Sequence, residues 1–321
     1  MLKVLNSLYS IVATMVKPQK INLLFLILLF NPRHFTAQTK FELALNQKEI
    51  VTFWKADSLF NIGEYENALI YFKDCKPKNQ FDLAWPIKKS LCYLLVGDTS
   101  SARNYFKNHI KNGGYYLYVD QIKQIPLYEV IAPDEVVRNQ FKKNTFSFEH
   151  SDSTCRYPEV LKTLLEMREQ DQAYRQGRGN PNVSVNTIDS LNQIKLDSLI
   201  SIYGWLGYKE VGKSGENASF LIAQHADMNL DFQKRCLILI KKELIKGNIY
   251  PPNYALLYDR VKVNSNEAQL FGSQVELDAT FNKFKPKKTR SLELVNAYRL
   301  YFGLESIESF LDFMNKRYEK N

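Results

Sequence analysis

The text of residues 56–72 returns at a fixed distance along the chain. Ala56, Leu59, Gly63, Ala68 and Phe72 are matched by Ser90, Tyr93, Gly97, Ala102 and Phe106, each 34 residues later. Small side chains at Ala56, Ala68 and their partners let two helices approach closely. The glycine falls where such a pair must turn, and the phenylalanine fills the groove beyond. A unit of this length is a helical hairpin, which cannot bury its apolar face alone and must stack on a neighbour. The other reading is a pair of ordinary helical hairpins whose period is coincidental. Residues 119–143 also read as helical, with breaks at Pro126 and Pro133, and supply a candidate cap for the stack.

The period and its small-residue pattern resemble those of tetratricopeptide repeats. That resemblance implies a helical module over residues 45–143 that docks a protein partner or braces a neighbouring domain, and such modules rarely carry chemistry.

Residues 1–37 read as an export signal. Lys17 and Lys20 form a short cationic segment, Ile21 to Phe30 is apolar apart from Asn22, and Asn31-Pro32 breaks that run ahead of Ala37. Charge, a short apolar core and a small residue, in that order, are the secretory pattern, and the core is too short to span a bilayer. Met15 serves as an alternative start. A buried N-terminal helix is the competing reading. Loss of the segment removes Lys3, Lys17, Lys20 and Arg33 and no acid, so the net charge falls from +9 to +5. The expected location is periplasmic or secreted, with no membrane span once the signal is gone. The remaining basic residues are scattered, and no basic stripe with interleaved aromatics points to nucleic acid. Cys75, Cys92, Cys155 and Cys236 lack zinc-site spacing and read as buried thiols, with Cys75 and Cys92 the one pair worth testing as a disulfide.

The polar text of 144–156 reads as a link to a second, mostly helical domain over 157–318. Helices are expected at Val160–Arg175, Thr187–Tyr203, from Phe220 onward, at Asp231–Lys246, at Leu292–Leu300 and at Ser306–Tyr318. Tyr254, Leu257, Tyr258 and Val261 have helical spacing behind Pro251-Pro252, although the β-rich text up to Val263 leaves a strand open. Gln269–Leu277 alternates and is the expected small β element. The fold class is therefore mainly α, with helical-repeat hairpins ahead of a helical domain that holds one β element.

Several short motifs follow one another in this second domain: Asp171-Gln172-x-x-Arg175, Gly204-Trp205, Gln224-His225-Ala226-Asp227, Ala255-Leu-Leu-Tyr-Asp259-Arg260-Val261, Gln269-x-x-Gly272-x-Gln274 and Arg299-x-x-x-Gly303-Leu304. In that order they resemble an uncharacterised bacterial domain family of unknown function, often found in exported or multidomain proteins. Leu206 after Gly-Trp, and Phe271-Gly-Ser273, depart mildly from its pattern. The resemblance implies no reaction and no cofactor.

The residues themselves name a candidate site. His225 is the sole histidine of the second domain, and an imidazole titrates near neutrality, which suits a general acid or base. Asp259 or Asp171 is expected to orient it. Arg175 and Arg260 are candidates to hold an anionic or carbonyl group, and Gln269 and Gln274 to orient a ligand or water. The competing reading is a buried polar network. The spacing offers no metal site, no activated nucleophile and no phosphate-binding loop. An exported interaction and ligand-binding protein, and a small hydrolase- or transferase-like enzyme using His225, both remain open.

Overall fold

A computed structural model describes residues 47–75, 85–111 and 134–318. The expected export signal and the 119–133 part of the expected helical cap lie outside the described residues. Thirteen helices and one two-stranded sheet are described, so the protein is mainly α with a small β element. No helix among the described residues is long and apolar enough to cross a membrane.

Two helical hairpins come first: α1 (Gln47–Asn61) with α2 (Tyr65–Asp74), and α3 (Trp85–Leu95) with α4 (Thr99–Lys111). Their turns are built alike. Gly63 N–H donates to Phe60 O at 3.1 Å and Glu64 N–H to Leu59 O at 2.9 Å; Gly97 and Asp98 make the same bonds to Leu94 and Tyr93 at 3.0 and 2.8 Å. This is the Schellman end of a helix, which needs a residue with positive φ, and Gly63 and Gly97 sit at 86° and 87°. Ala56 and Ser90, Ala68 and Ala102, and Phe72 and Phe106 are all buried. The repeated text therefore corresponds to repeated local geometry. All four cysteines are free thiols, three of them buried.

The stretch read as an irregular link is largely helical. α5 (Glu135–Glu149) runs through half of it and α6 (Ser151–Thr154) follows at once. Its crowded Ser and Asp side chains serve as caps for another helix: Ser151 Oγ accepts from Lys213 N–H at 3.0 Å, and Asp152 Oδ1 from Ser214 N–H at 2.9 Å.

The main bundle contains α7 (Pro158–Arg175), α8 (Val185–Tyr203), α9 (Tyr208–His225), α10 (Leu230–Ile245) and α11 (Pro251–Asn264). Pro158 opens α7, and Pro251-Pro252 opens α11, where the missing N–H costs nothing. The helical spacing of Tyr254 to Val261 thus prevails over its β-rich composition. Ser184 and Asn229 cap α8 and α10 through their side chains. α9 starts twelve residues before the expected Phe220. It bends at Gly212 (φ 69°, ψ 179°), and its second segment begins under the caps from α6. Gly215 then allows α7 to lie close, since a Cβ there would meet Leu161 Cδ1 at 3.0 Å.

The sheet pairs β1 (Val275–Asp278) antiparallel with β2 (Lys283–Pro286), in the register Val275 to Pro286. It begins later than the alternation from Gln269 predicts: Gln269 forms an isolated parallel bridge to Thr289, and the amides of Leu270, Phe271 and Ser273 turn to the Asp259 carboxylate instead of a ladder. α12 (Val295–Tyr301) and α13 (Ile307–Tyr318) close the chain. Phe302 stacks on Tyr254 at 5.7 Å and meets Phe271 edge-on at 4.9 Å, which fixes that loop against α11. The bundle core also takes in Ile50 of α1, and Phe53 of α1 meets Tyr301 at 6.1 Å between ring centroids.

Candidate functional site

Three polar groupings emerge where the sequence suggested one. The first lies at the C-terminal ends of α7 and α9 and the start of α8. Asp171 and Arg175 share a face of α7 because they are four residues apart. His225 is the last residue of α9, and Asp189 stands in the second turn of α8. His225 Nδ1 lies 2.8 Å from Asp171 Oδ1. Arg175 Nε donates towards Asp171 Oδ1 at 3.3 Å, and Arg175 Nη2 donates to Asp189 Oδ1 at 2.7 Å. Gln172 Nε2 donates to the second oxygen of Asp171 at 2.7 Å.

These distances fix a tautomer. Burial alone would raise the Asp171 carboxyl. The hydrogen bond and charge of His225, the Gln172 amide and the Arg175 charge outweigh it and hold the group below the usual carboxylate range. With Asp171 ionised, the 2.8 Å contact requires its proton on His225 Nδ1. Arg175 Nε, 3.1 Å from that same nitrogen, then directs its N–H at the carboxylate. A neutral ring in this tautomer presents Nε2 as an acceptor. Asp189 is moved the other way: burial lifts its carboxyl above the ordinary value, with Arg175 opposing. The Asp171 side chain is 1% exposed, whereas His225 keeps 14% and Arg175 30%. Solvent can therefore reach the cluster along His225 and Arg175.

The second grouping surrounds Asp227. Its Oδ1 accepts from Gln233 Nε2 at 3.1 Å, Arg260 Nε at 3.0 Å and Asn264 Nδ2 at 2.9 Å. Arg260 Nη1 also donates to Gln274 Oε1 at 3.0 Å. This network ties the α9–α10 turn to α11 and to the loop before β1. The fork of Arg260 is occupied by protein acceptors, as is that of Arg175.

The third grouping is structural. Asp259, expected as a partner for His225, instead turns both oxygens on backbone amides: Oδ1 accepts from Leu270 and Phe271 at 2.8 and 3.1 Å, and Oδ2 from Phe271 and Ser273 at 3.2 and 2.9 Å. Gln269 closes the same loop, donating to Gln274 O and Lys287 O and accepting from Gln274 N–H. Arg299 Nη1 donates to Phe271 O at 2.8 Å. Asp171, Arg175 and His225 are thus brought together, Arg260 and Gln274 meet each other, and Asp259 and Gln269 anchor the loop.

Asp189 and Asn264 were missed in the sequence. Asp189 follows Ile188, the first of the buried stripe Ile188, Asn192 and Leu196, so its phase sets it beside the α7 contact. That signal becomes legible only when α8 is paired with α7. No curated protein and no solved structure gives a significant match to the chain. The sequence model described as "Family of unknown function (DUF6624)" matches residues 158–321, from the first residue of α7 onward, and this protein belongs to that family.

Proposed function

We propose that residues 158–321 form a ligand-binding domain whose site is the Asp171–Arg175–Asp189–His225 cluster. In this reading the domain belongs to an exported protein whose leading hairpins are a tetratricopeptide-like module for a protein partner. One observation carries the site: four ionisable side chains from three helices touch at 2.7–3.3 Å while two of them keep solvent access. The partial exposure of Arg175 and His225 lets a ligand reach the buried Asp171 carboxylate beneath them.

The charge balance selects the ligand. Two carboxylates face one guanidinium, and that guanidinium already bridges both, so an anion would meet repulsion with no free donor fork. The site favours a ligand that offers hydrogen-bond donors or positive charge. The probes are methylammonium and guanidinium against acetate and phosphate, followed through the imidazole resonances of His225. Cationic probes should move those resonances, and anions should not. Indifference to every probe, with His225→Ala melting like the parent, would remove the site.

The dyad geometry also favours a second reading, a hydrolase- or transferase-like enzyme in which Asp171 orients His225 and Nε2 moves the proton. Reporter esters, amides, phosphoesters and glycosides test it. Turnover that is lost in folded His225→Ala supports the enzyme, and no turnover of any class speaks against it. Export is supported by the cationic segment and apolar core ahead of Ala37. Secreted material whose N-terminus is still Met1 or Met15 would defeat the proposed cleavage.

A further inference from the structure

The bridging guanidinium occupies a place that fits another kind of cation. Asp171, Asp189 and His225 each offer one donor atom, and these atoms all lie within 4.8 Å of one another. Ligand atoms at neighbouring positions around one divalent ion, each bonded at ~2.0–2.2 Å, lie ~3.0–3.6 Å apart, so side-chain shifts of about an ångström close the set. Asp171 is already fixed as a ligand would need to be, with its side chain 1% exposed and its second oxygen held by Gln172 at 2.7 Å. Arg175 is not held in the same way. It is the last residue of α7, its side chain is 30% exposed, and swinging outward would return its charge to water.

We propose that this cluster binds a divalent transition-metal ion through Asp171, Asp189 and the His225 imidazole, with Arg175 as the internal cation that the metal displaces. The proposal rests on reading the cluster as a ligand site and names the class of ligand. One imidazole with two carboxylates suits zinc, manganese, iron or nickel better than magnesium or calcium, whose sites are all oxygen. Three protein ligands leave coordination positions for water or a substrate, the pattern of a reactive site instead of a closed structural one. Sequence spacing conceals it because the ligands stand on three helices at positions 171, 189 and 225, with no paired histidines.

The test uses the tag-free full chain, stripped by chelator and titrated with Mn2+ and Zn2+ by calorimetry. Manganese is the decisive probe because the chain's free thiols compete poorly for it. One ion per chain is expected. Arg175→Met should tighten binding by about tenfold or more, since it removes the competing charge, and Asp189→Asn and His225→Ala should each weaken it by about 100-fold. In the parent protein, bound Mn2+ should broaden the His225 ring signals before those of His109 and His150, a readout that does not depend on any variant folding. The proposal fails if Mn2+ and Zn2+ bind neither the parent nor Arg175→Met. It fails equally if binding survives unchanged in Asp189→Asn and His225→Ala, or leaves the His225 signals sharp. Should methylammonium still move the His225 resonances while no metal binds, the metal is refuted and the ligand site stands.

Discussion

At the scale of single residues, one carboxyl outside the candidate site has a measurable signature. Glu216 of α9 is fully buried and accepts from Asn253 Nδ2 at 3.1 and 3.0 Å, at the opening turn of α11. Burial pushes its carboxyl up to about 8 from 4.5, against the pull of the Asn253 amide and the Tyr250 N–H. Between those values the folded protein holds a proton that the unfolded chain has released. The stabilisation is therefore complete below about 4.5 and is lost as the pH rises through about 8. Stability should fall across that window by up to ~1.4 kcal/mol per pH unit from this group alone. Glu216→Gln, which keeps the shape and cannot ionise, should flatten the profile and exceed the parent in melting temperature at pH 8. Parallel profiles of parent and variant from pH 5 to 8 would show that Glu216 is not held as an acid. The residue was legible in principle. Glu216, Ser219 and Ala223 fall on one helical stripe once the segment after the Gly212 kink is known to be helical. His225 could be picked from the sequence as the domain's sole histidine behind an apolar run, and Asp171 and Arg175 as a pair four residues apart on one helix face. Their division from Asp259 and Gln269 could not, because it depends on which backbone amides the loop at 270–273 leaves without a ladder.

At the scale of elements, the sequence marked most helices through apolar period and caps, and failed where capping comes from elsewhere in the chain. The text Lys213-Ser214-Gly215 reads as a loop, yet it is helical because Ser151 and Asp152, more than sixty residues earlier, satisfy its first amides. That arrangement depends on Gly212. Its φ is 69°, and a Cβ would lie 2.3 Å from Asp152 Oδ1 and 2.5 Å from Asp152 Cα. Backbone atoms on that side cannot yield as the tip of a flexible side chain would. Gly212→Ala should therefore cost ~3 kcal/mol or more in urea unfolding, through both the strained φ and the displaced cap. Asp152→Ala removes the cap alone and should cost ~1–2 kcal/mol. A Gly212→Ala midpoint equal to the parent's would mean that the kink is not held by this contact. The expected β element is present but starts late, for a related reason. After the isolated bridge of Gln269 to Thr289, the Asp259 carboxylate takes the amides of Leu270, Phe271 and Ser273, and the continuous antiparallel ladder starts at Val275.

At the scale of the whole molecule, the family boundary at residue 158 and the boundary of the hydrophobic core do not coincide. Ile50 of α1 is 1% exposed and belongs to the same buried cluster as Leu164, Tyr254 and Phe302. Phe53, 3% exposed, bridges from that cluster's edge at Tyr301 to the core of the first hairpin, and Trp54 packs beside it. Burying a large apolar side chain contributes ~1.5–3 kcal/mol, so Ile50 and Phe53 together supply a sizeable part of a typical domain stability of ~5–15 kcal/mol. A fragment of residues 158–321 would lose both, along with the Ser151 and Asp152 caps, and would expose the face of α12. It should melt well below the full chain and bind a hydrophobic dye. In the full chain, Phe53→Ala should lower one shared transition by ~3–5 kcal/mol, because the cavity lies between elements that unfold together. Two separated transitions in Phe53→Ala, with the second unmoved, would mean that the hairpins fold apart from the family domain. A fragment as stable as the full chain would say the same. Either outcome would also bear on the candidate site, since α7 and α9 hold Asp171, Arg175 and His225 in contact only while the core beneath them stays packed.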